Sequence, residues 1–336
     1  MYFNVQHFFK DRQTNMNKNN LKGSLILILA SLLWGLAFLV QSNAAQKISP
    51  FIFNGLRSLV GAAAIFVYIL IKSKIKKEPV FKKDGNYIKS VVKGGIICGV
   101  VLCIAVNLQQ YGIAVYPADC NTVEARSGFL TTLYVVMVPI ASVIVGKRVT
   151  LPVWIAAVTA MAGVYFLCLT NGIANIYAGD ILMVLCAATF TCHIMVVDRF
   201  GEGIGGAQLS FIQFIVCGLL SVIASFIAKE SNNTLSAIQS ALPQILYMGV
   251  FSSGFAYTLQ IVGQKYAEPA IASISMSFEG VFATLGALVI MGNIPSVPET
   301  IGCVLVFAAT VIAQLPSRRK KNNGYDKGHV PGVGCI

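Results

Sequence analysis

The chain has 336 residues, of which 56% are hydrophobic and only 11% charged, and its mean hydropathy is +0.74. Soluble domains carry about a quarter of their residues as Asp, Glu, Lys or Arg, so this composition excludes an ordinary soluble enzyme or binding module and indicates a polytopic membrane protein. The net charge of +12 does not mark a nucleic-acid surface, because the basic residues sit in short runs between apolar segments, where they orient helices in a bilayer.

In chain order, residues 1–20 form a polar tail, read as cytoplasmic, and ten apolar spans follow. They run Leu21–Gln41, Pro50–Ile71, Val91–Ile113, Glu124–Val145, Pro152–Leu169, Gly179–Val197, Gln208–Ile227, Leu242–Gln264, Pro269–Met291 and Val297–Leu315. Each approaches the roughly 20 residues that cross a hydrocarbon core at about 1.5 Å per residue. The first is too long for a signal-peptide core and lacks a cleavage site, so it reads as a mature helix. Residues 316–336 form a basic tail read as disordered. Cys98, Cys103, Cys168, Cys186, Cys192, Cys217 and Cys303 lie inside apolar spans without C-x-x-C spacing, and read as packing residues, not as metal ligands or a disulfide framework.

Lys and Arg alternate from loop to loop. The N-terminal tail carries Lys10, Arg12, Lys18 and Lys22, and the loop after the second span adds eight lysines from Lys72 to Lys93. Lys147, Arg148, Arg199, Lys265 and the C-terminal tail continue the pattern, while the alternate loops hold little beyond Lys47, Arg126 and Lys229. Both termini are therefore expected on the cytoplasmic side, which needs an even number of spans.

The chain also repeats itself. Trp34 matches Phe190 and Arg57 matches Gln213, each 156 apart (190 − 34, 213 − 57); Gly99 matches Gly249 and Gln110 matches Gln260, each 150 apart (249 − 99, 260 − 110). Gly146 matches Gly292 and Ile155 matches Ile301, each 146 apart (292 − 146, 301 − 155). The expected fold is all-α, with ten transmembrane helices as two five-helix repeats, residues 21–169 and 179–315. Five is odd, so the second copy enters the membrane inverted; accordingly the lysine-rich loop after the second span has a counterpart after the seventh with only Lys229.

The ninth span carries Glu279 near its middle, approached by Ser273, Ser275 and Ser277. A carboxylate at that depth costs about 3 kcal/mol, so it faces protein or a watery cavity, either as a structural group between helices or as one that handles substrate or ions. Its equivalent in the first copy is Leu133 (279 − 133 = 146), so the halves differ chemically here.

The stretches LASLLWGLAFLVQ, FNGLRSLVGAAAI and LQQYGIAVYPADCNTVEARSGFLTTLYVVMVPI in the first copy, and YAEPAIASISMSFEGVFATLGALVIMG followed by IGCVLVFAATVIAQ in the second, resemble the EamA-like family of the drug/metabolite transporter superfamily. The resemblance covers about residues 24–315. The chain departs from the family pattern at Gly280, where Pro is usual, and at Gly146-Lys147 and Gly292-Asn293, where Gly-Glu is usual. Glu124 stands where the family more often has a small residue.

The resemblance implies a central cavity lined by spans one, three, four, six, eight and nine. On the third span, Asn107, Gln110 and Tyr111 share one helical face, where they bind substrate or bond helix to helix. On the fourth, Arg126 and Phe129 share a face, and Arg126 either meets a substrate carboxylate or snorkels to the interface beside Glu124. Trp34, Phe190 and Tyr257 form aromatic walls or ordinary packing, and His193 relays protons or bonds between helices. Arg57 matches a basic position common in the family and reads as a structural anchor.

Together with Glu279, these residues suggest a secondary transporter of small organic metabolites, with amino acids or related compounds favoured. It would work by alternating access, with protons as the candidate coupling ion. A passive channel or facilitator is the alternative. An intramembrane enzyme lacks its tools, since H-E-x-x-H, paired intramembrane Asp and a phosphate loop are all missing from the sequence. The expected partners are the substrate and the lipid bilayer, without cofactor, metal or nucleic acid, and the resemblance implies a bacterial plasma membrane.

Overall fold

A computed structural model describes residues 3–117, 123–168, 176–201, 203–291 and 295–315, and every regular element among them is helical. The tail expected to be disordered, residues 316–336, lies outside the described residues, as do Leu169 and the Gly292-Asn293 pair.

The helix α1 (Phe3–Trp34) runs back through most of the polar tail, because no Gly or Pro interrupts residues 3–22. After a break at Gly35–Leu36 come α2 (Ala37–Ala45), α3 (Pro50–Lys76) and α4 (Gly85–Ala114). Pro50 supplies a favourable first residue to α3, and the Asp84 side chain accepts from Asn86 N at the start of α4. The expected fourth span is two helices, α5 (Val123–Thr132) and α6 (Tyr134–Ile144), followed by α7 (Leu151–Cys168). The second half holds α8 (Ala178–Gly201), α9 (Gly206–Ile227) and the short α10 (Leu235–Ser240), capped by Thr234. Then come α11 (Leu242–Tyr247), a π-helical segment (Met248–Ala256) and α12 (Tyr257–Gln264). The chain ends in α13 (Pro269–Met276), α14 (Phe278–Met291) and α15 (Val297–Ala313).

Seven segments among the described residues are long and apolar enough to cross a membrane, namely Asn19–Ala45, Pro50–Lys76, Gly85–Ala114, Arg126–Ile144, Ala178–Gly201, Gly206–Ile227 and Leu242–Gln264. Leu151–Phe166 and Val297–Ala313 are apolar but shorter. The expected ninth span is split into α13 and α14 at Ser277. Large apolar side chains such as Val67, Ile71, Ile223, Phe226 and Phe307 point outward, as a lipid-facing surface requires. The protein is a multi-pass membrane protein.

Contacts between helices are paired across the chain. The helix α3 packs on α9, α7 on α15, α4 on α8 and α9, α3 on the π-helical segment, α1 on α12, α13 and α14, and α8 on α5 and α6. Small residues permit these approaches. A Cβ added to Gly163 of α7 would lie 2.9 Å from the carbonyl oxygen of Gly302 in α15, and one added to Gly263 would lie 2.6 Å from Leu27 Cγ.

Candidate functional site

The helices converge on a partly open cavity of about 50 Å³, room for a few waters. From the first half it is bordered by Trp34 at the end of α1, by Ala37, Phe38 and Gln41 of α2, and by Arg57 of α3. Gln109 of α4, Thr131 of α5 and Tyr134 of α6 complete that side. From the second half come Phe190 and Ile194 of α8, Met248 and Ser252 of the π-helical segment, Tyr257 and Gln260 of α12, Met276 of α13 and Glu279 of α14.

Every interruption in the membrane helices that the structure describes borders this space. The break at Gly35–Leu36 falls between Trp34 and Ala37, that at Leu133 between Thr131 and Tyr134, and that at Ser277 between Met276 and Glu279. The π-helical segment contributes Met248 and Ser252 directly. Local chemistry contributes to the break at Ser277. The hydroxyls of Ser273 and Ser277 donate to the carbonyls of Ala270 and Ile274 at 2.9 and 2.7 Å, which competes with the helical ladder.

Glu279 is 8% exposed; its Oε1 accepts from Thr132 Oγ1 at 3.3 Å and from Tyr134 OH at 3.5 Å. Both bonds are long, which leaves the carboxyl with acceptor capacity towards the cavity. Tyr257 meets Trp34 edge to face, with ring centroids 4.9 Å apart, and Phe214 at 5.4 Å. Trp34, Phe190, Tyr257 and Glu279 are thus brought together around the cavity.

The other candidates stand elsewhere. Asn107 lies behind the cavity, accepting from Asn54 Nδ2 at 2.9 Å and donating to Ser221 Oγ at 2.8 Å. Gln110 donates to the Gln41 carbonyl at 3.0 Å, and its neighbour Gln109 is the one that borders the cavity. Tyr111 OH donates to Glu230 Oε1 at 2.7 Å, and the Glu230 carboxylate also takes the first amides of α3, Phe51 N at 2.9 Å and Ile52 N at 3.1 Å. His193 is fully buried behind Tyr257, its Nε2 3.3 Å from Gln213 Oε1. Phe129 packs on Tyr165 at 6.2 Å, away from the cavity.

Arg126 neither snorkels nor reaches the cavity. It is 5% exposed, its Nε donates to Asp180 Oδ1 at 3.1 Å and its Nη2 to Oδ2 at 2.5 Å, and its guanidinium lies 4.8 Å from the Tyr177 ring centre. Tyr116 OH and Tyr177 N also donate to Asp180, at 2.7 and 2.8 Å. At the far end of α6, Lys147 pairs with Asp198 of α8. In the nearby loop, burial pushes the Glu268 carboxyl up from its ordinary value; Lys147 opposes this and Asp198 reinforces it.

Arg57 is the cavity residue that sequence reasoning assigned to another role. It is 2% exposed, and its Nε donates to Asn54 Oδ1 at 2.6 Å. Its position inside the second span was the available signal, since an intramembrane cation is costly unless it has a function or a partner. Among the described residues, no cluster of three or more His, Cys, Asp or Glu side chains is placed to hold a metal.

A model of the EamA-like transporter family matches two stretches of the chain, residues 21–169 and 177–314. An uncharacterized transporter of Archaeoglobus fulgidus is 27% identical over 310 residues, which cover 92% of this chain and 91% of that protein. The uncharacterized transporter YwfM of Bacillus subtilis is 22% identical over 304 residues, covering 89% and 95% respectively. A protein solved by crystallography shares the fold with a TM-score of 0.66 at 18% identity, over 87% of this chain and 96% of that one.

Proposed function

The chain belongs to the EamA-like transporter family, and from that premise we propose that it is a secondary transporter carrying small organic metabolites, amino acids or related compounds, across the plasma membrane by alternating access. Membership makes it a transporter of small molecules, not an enzyme. The observation that carries the finer reading is that the helix breaks and the π-helical segment all border one cavity containing a buried carboxyl group. Discontinuous helices around a central site are how transporters present backbone and side-chain polarity to a solute at bilayer depth.

In this reading the protein has ten spans as two inverted repeats, residues 21–169 and 179–315, between a cytoplasmic tail at 1–20 and a basic cytoplasmic tail at 316–336. The two stretches matched by the family model support that division. So does the packing. If the halves are exchanged, α4 on α8 becomes α12 on α1, α4 on α9 becomes the π-helical segment on α3, and α5 and α6 on α8 become α13 and α14 on α1; each counterpart is present. Two halves that exchange roles supply two equivalent gates around one site.

Glu279 is the coupling group of this mechanism, gaining and losing a proton as the cavity opens to either side. The other titratable groups around it among the described residues are Tyr134 of α6, Cys186 of α8, Tyr257 of α12 and, across the same cavity, Arg57 of α3. The test is uptake by proteoliposomes carrying Glu279→Gln, with and without an imposed pH gradient. The expected outcome is loss of the gradient's effect on uptake; full transport with full pH dependence would refute the coupling role.

A further inference from the structure

The cavity borders on two side chains of opposite formal charge, Arg57 of α3 and Glu279 of α14. The ion pairs among the described residues join Arg126 to Asp180 and Lys147 to Asp198, so neither neutralises Arg57. Its guanidinium carbon lies 5.7 Å from the Phe53 ring centre and its Nε donates to Asn54, which leaves the two terminal nitrogens without a hydrogen-bond acceptor among the described residues. A buried guanidinium in that condition is expensive unless a ligand supplies the counter-charge. Asn54 is itself pinned, its Nδ2 donating to the Val106 carbonyl and to Asn107 Oδ1, each at 2.9 Å. Arg57 is therefore held in a fixed orientation, as a binding group requires.

Polar side chains gather around the same space, with Gln41 and Gln260, 2% and 3% exposed, among its borders. Glu279 adds a carboxyl with only two long bonds. Tyr257 borders the same cavity, and its ring meets Trp34 to form an apolar wall.

We propose that Arg57 and Glu279 form a zwitterion site: Arg57 takes the carboxylate of a small solute through its fork of N–H donors, and Glu279 takes the ammonium. This rests on the transport reading of the same cavity and deepens it. Guanidinium and carboxylate pair with two parallel bonds, which fixes orientation as well as charge. A dianion would meet Glu279, and a dication would meet Arg57, so each charge also rejects the wrong class.

The test uses the purified full-length protein in detergent. Thermal-shift titrations compare a panel of amino acids with the amine and the carboxylic acid that each becomes when it loses its carboxylate or its ammonium. At least one amino acid is expected to stabilise the protein saturably and to bind at least about tenfold more tightly than its amine or its acid, the margin of one charged hydrogen-bonded contact. Arg57→Gln removes the preference over the amine, Glu279→Gln removes the preference over the acid, and Arg57→Lys retains part of the first. Equal binding of the amine or the acid to the unaltered protein overturns the proposal, and so does unchanged selectivity in Arg57→Gln. The comparison on the unaltered protein decides the matter even where a variant does not fold. Saturable proteoliposome uptake of a non-zwitterionic solute alone would also overturn the zwitterion site while leaving the carrier reading standing, so the two fail separately.

Discussion

Asp180 holds Arg126 by two hydrogen bonds and receives two more from Tyr116 and Tyr177, so the charge pair is both buried and satisfied. Removing one partner of such a pair strands the other charge. Asp180→Asn is expected to cost about 3–5 kcal/mol, seen as a clear fall in melting temperature in detergent. Because neither residue borders the cavity, solute protection measured below the new melting temperature should keep its selectivity. An unchanged melting temperature would contradict the structural role. Arg126 was legible in the sequence as an unusual charge, but its partner lies 54 residues away, and one sequence gives no signal for that pairing. The same limit explains why Asn107, Gln110 and Tyr111, rightly seen as sharing a helical face, turn out to serve Asn54, Gln41 and Glu230. Periodicity says which residues point together and not what they meet.

The ninth span read as one continuous helix because its residues are uniformly apolar apart from Glu279 and the serines. Those serines bond to backbone carbonyls and help to split it into α13 and α14 beside the cavity. The π-helical segment within the eighth span holds Gly249, Ser252, Ser253 and Gly254, which mark a weak stretch of helix, but apolar periodicity does not tell a π-turn from an α-turn. Helix crossings were more hidden still. At the contact of α7 with α15, Gly163→Val would drive side-chain atoms towards Gly302 and Val306, whose backbone and side chain already lie 2.9 Å from an added Cβ. Overpacking of this kind costs about 1–3 kcal/mol, so the variant should melt at a lower temperature. Gly85→Ala, with nothing within 4 Å of the new Cβ, should not. Equal melting temperatures for the two variants would argue against the close crossing of α7 and α15.

For the molecule as a whole, composition alone identified a multi-pass membrane protein, because so few charges over so long a chain leave no other solvent. The motifs in order gave the family, which the matches at residues 21–169 and 177–314 show. Trp34, Phe190, Tyr257 and Glu279 border the cavity and stand out in the sequence by their chemistry at depth, whereas Arg57 borders it too but reads in the sequence as an anchor, since its likeness to a family position hides the cost of burying it. Together these residues border one cavity that carries both formal charges.

The measurement to make is uptake of a pooled metabolite mixture into proteoliposomes, read by mass spectrometry with and without an imposed pH gradient. A proton-coupled carrier predicts that one solute class, amino acids or related compounds, accumulates chemically unchanged and above equilibrium only when the gradient is present. Solutes that merely equilibrate, with or without the gradient, would contradict coupled transport and indicate a facilitator.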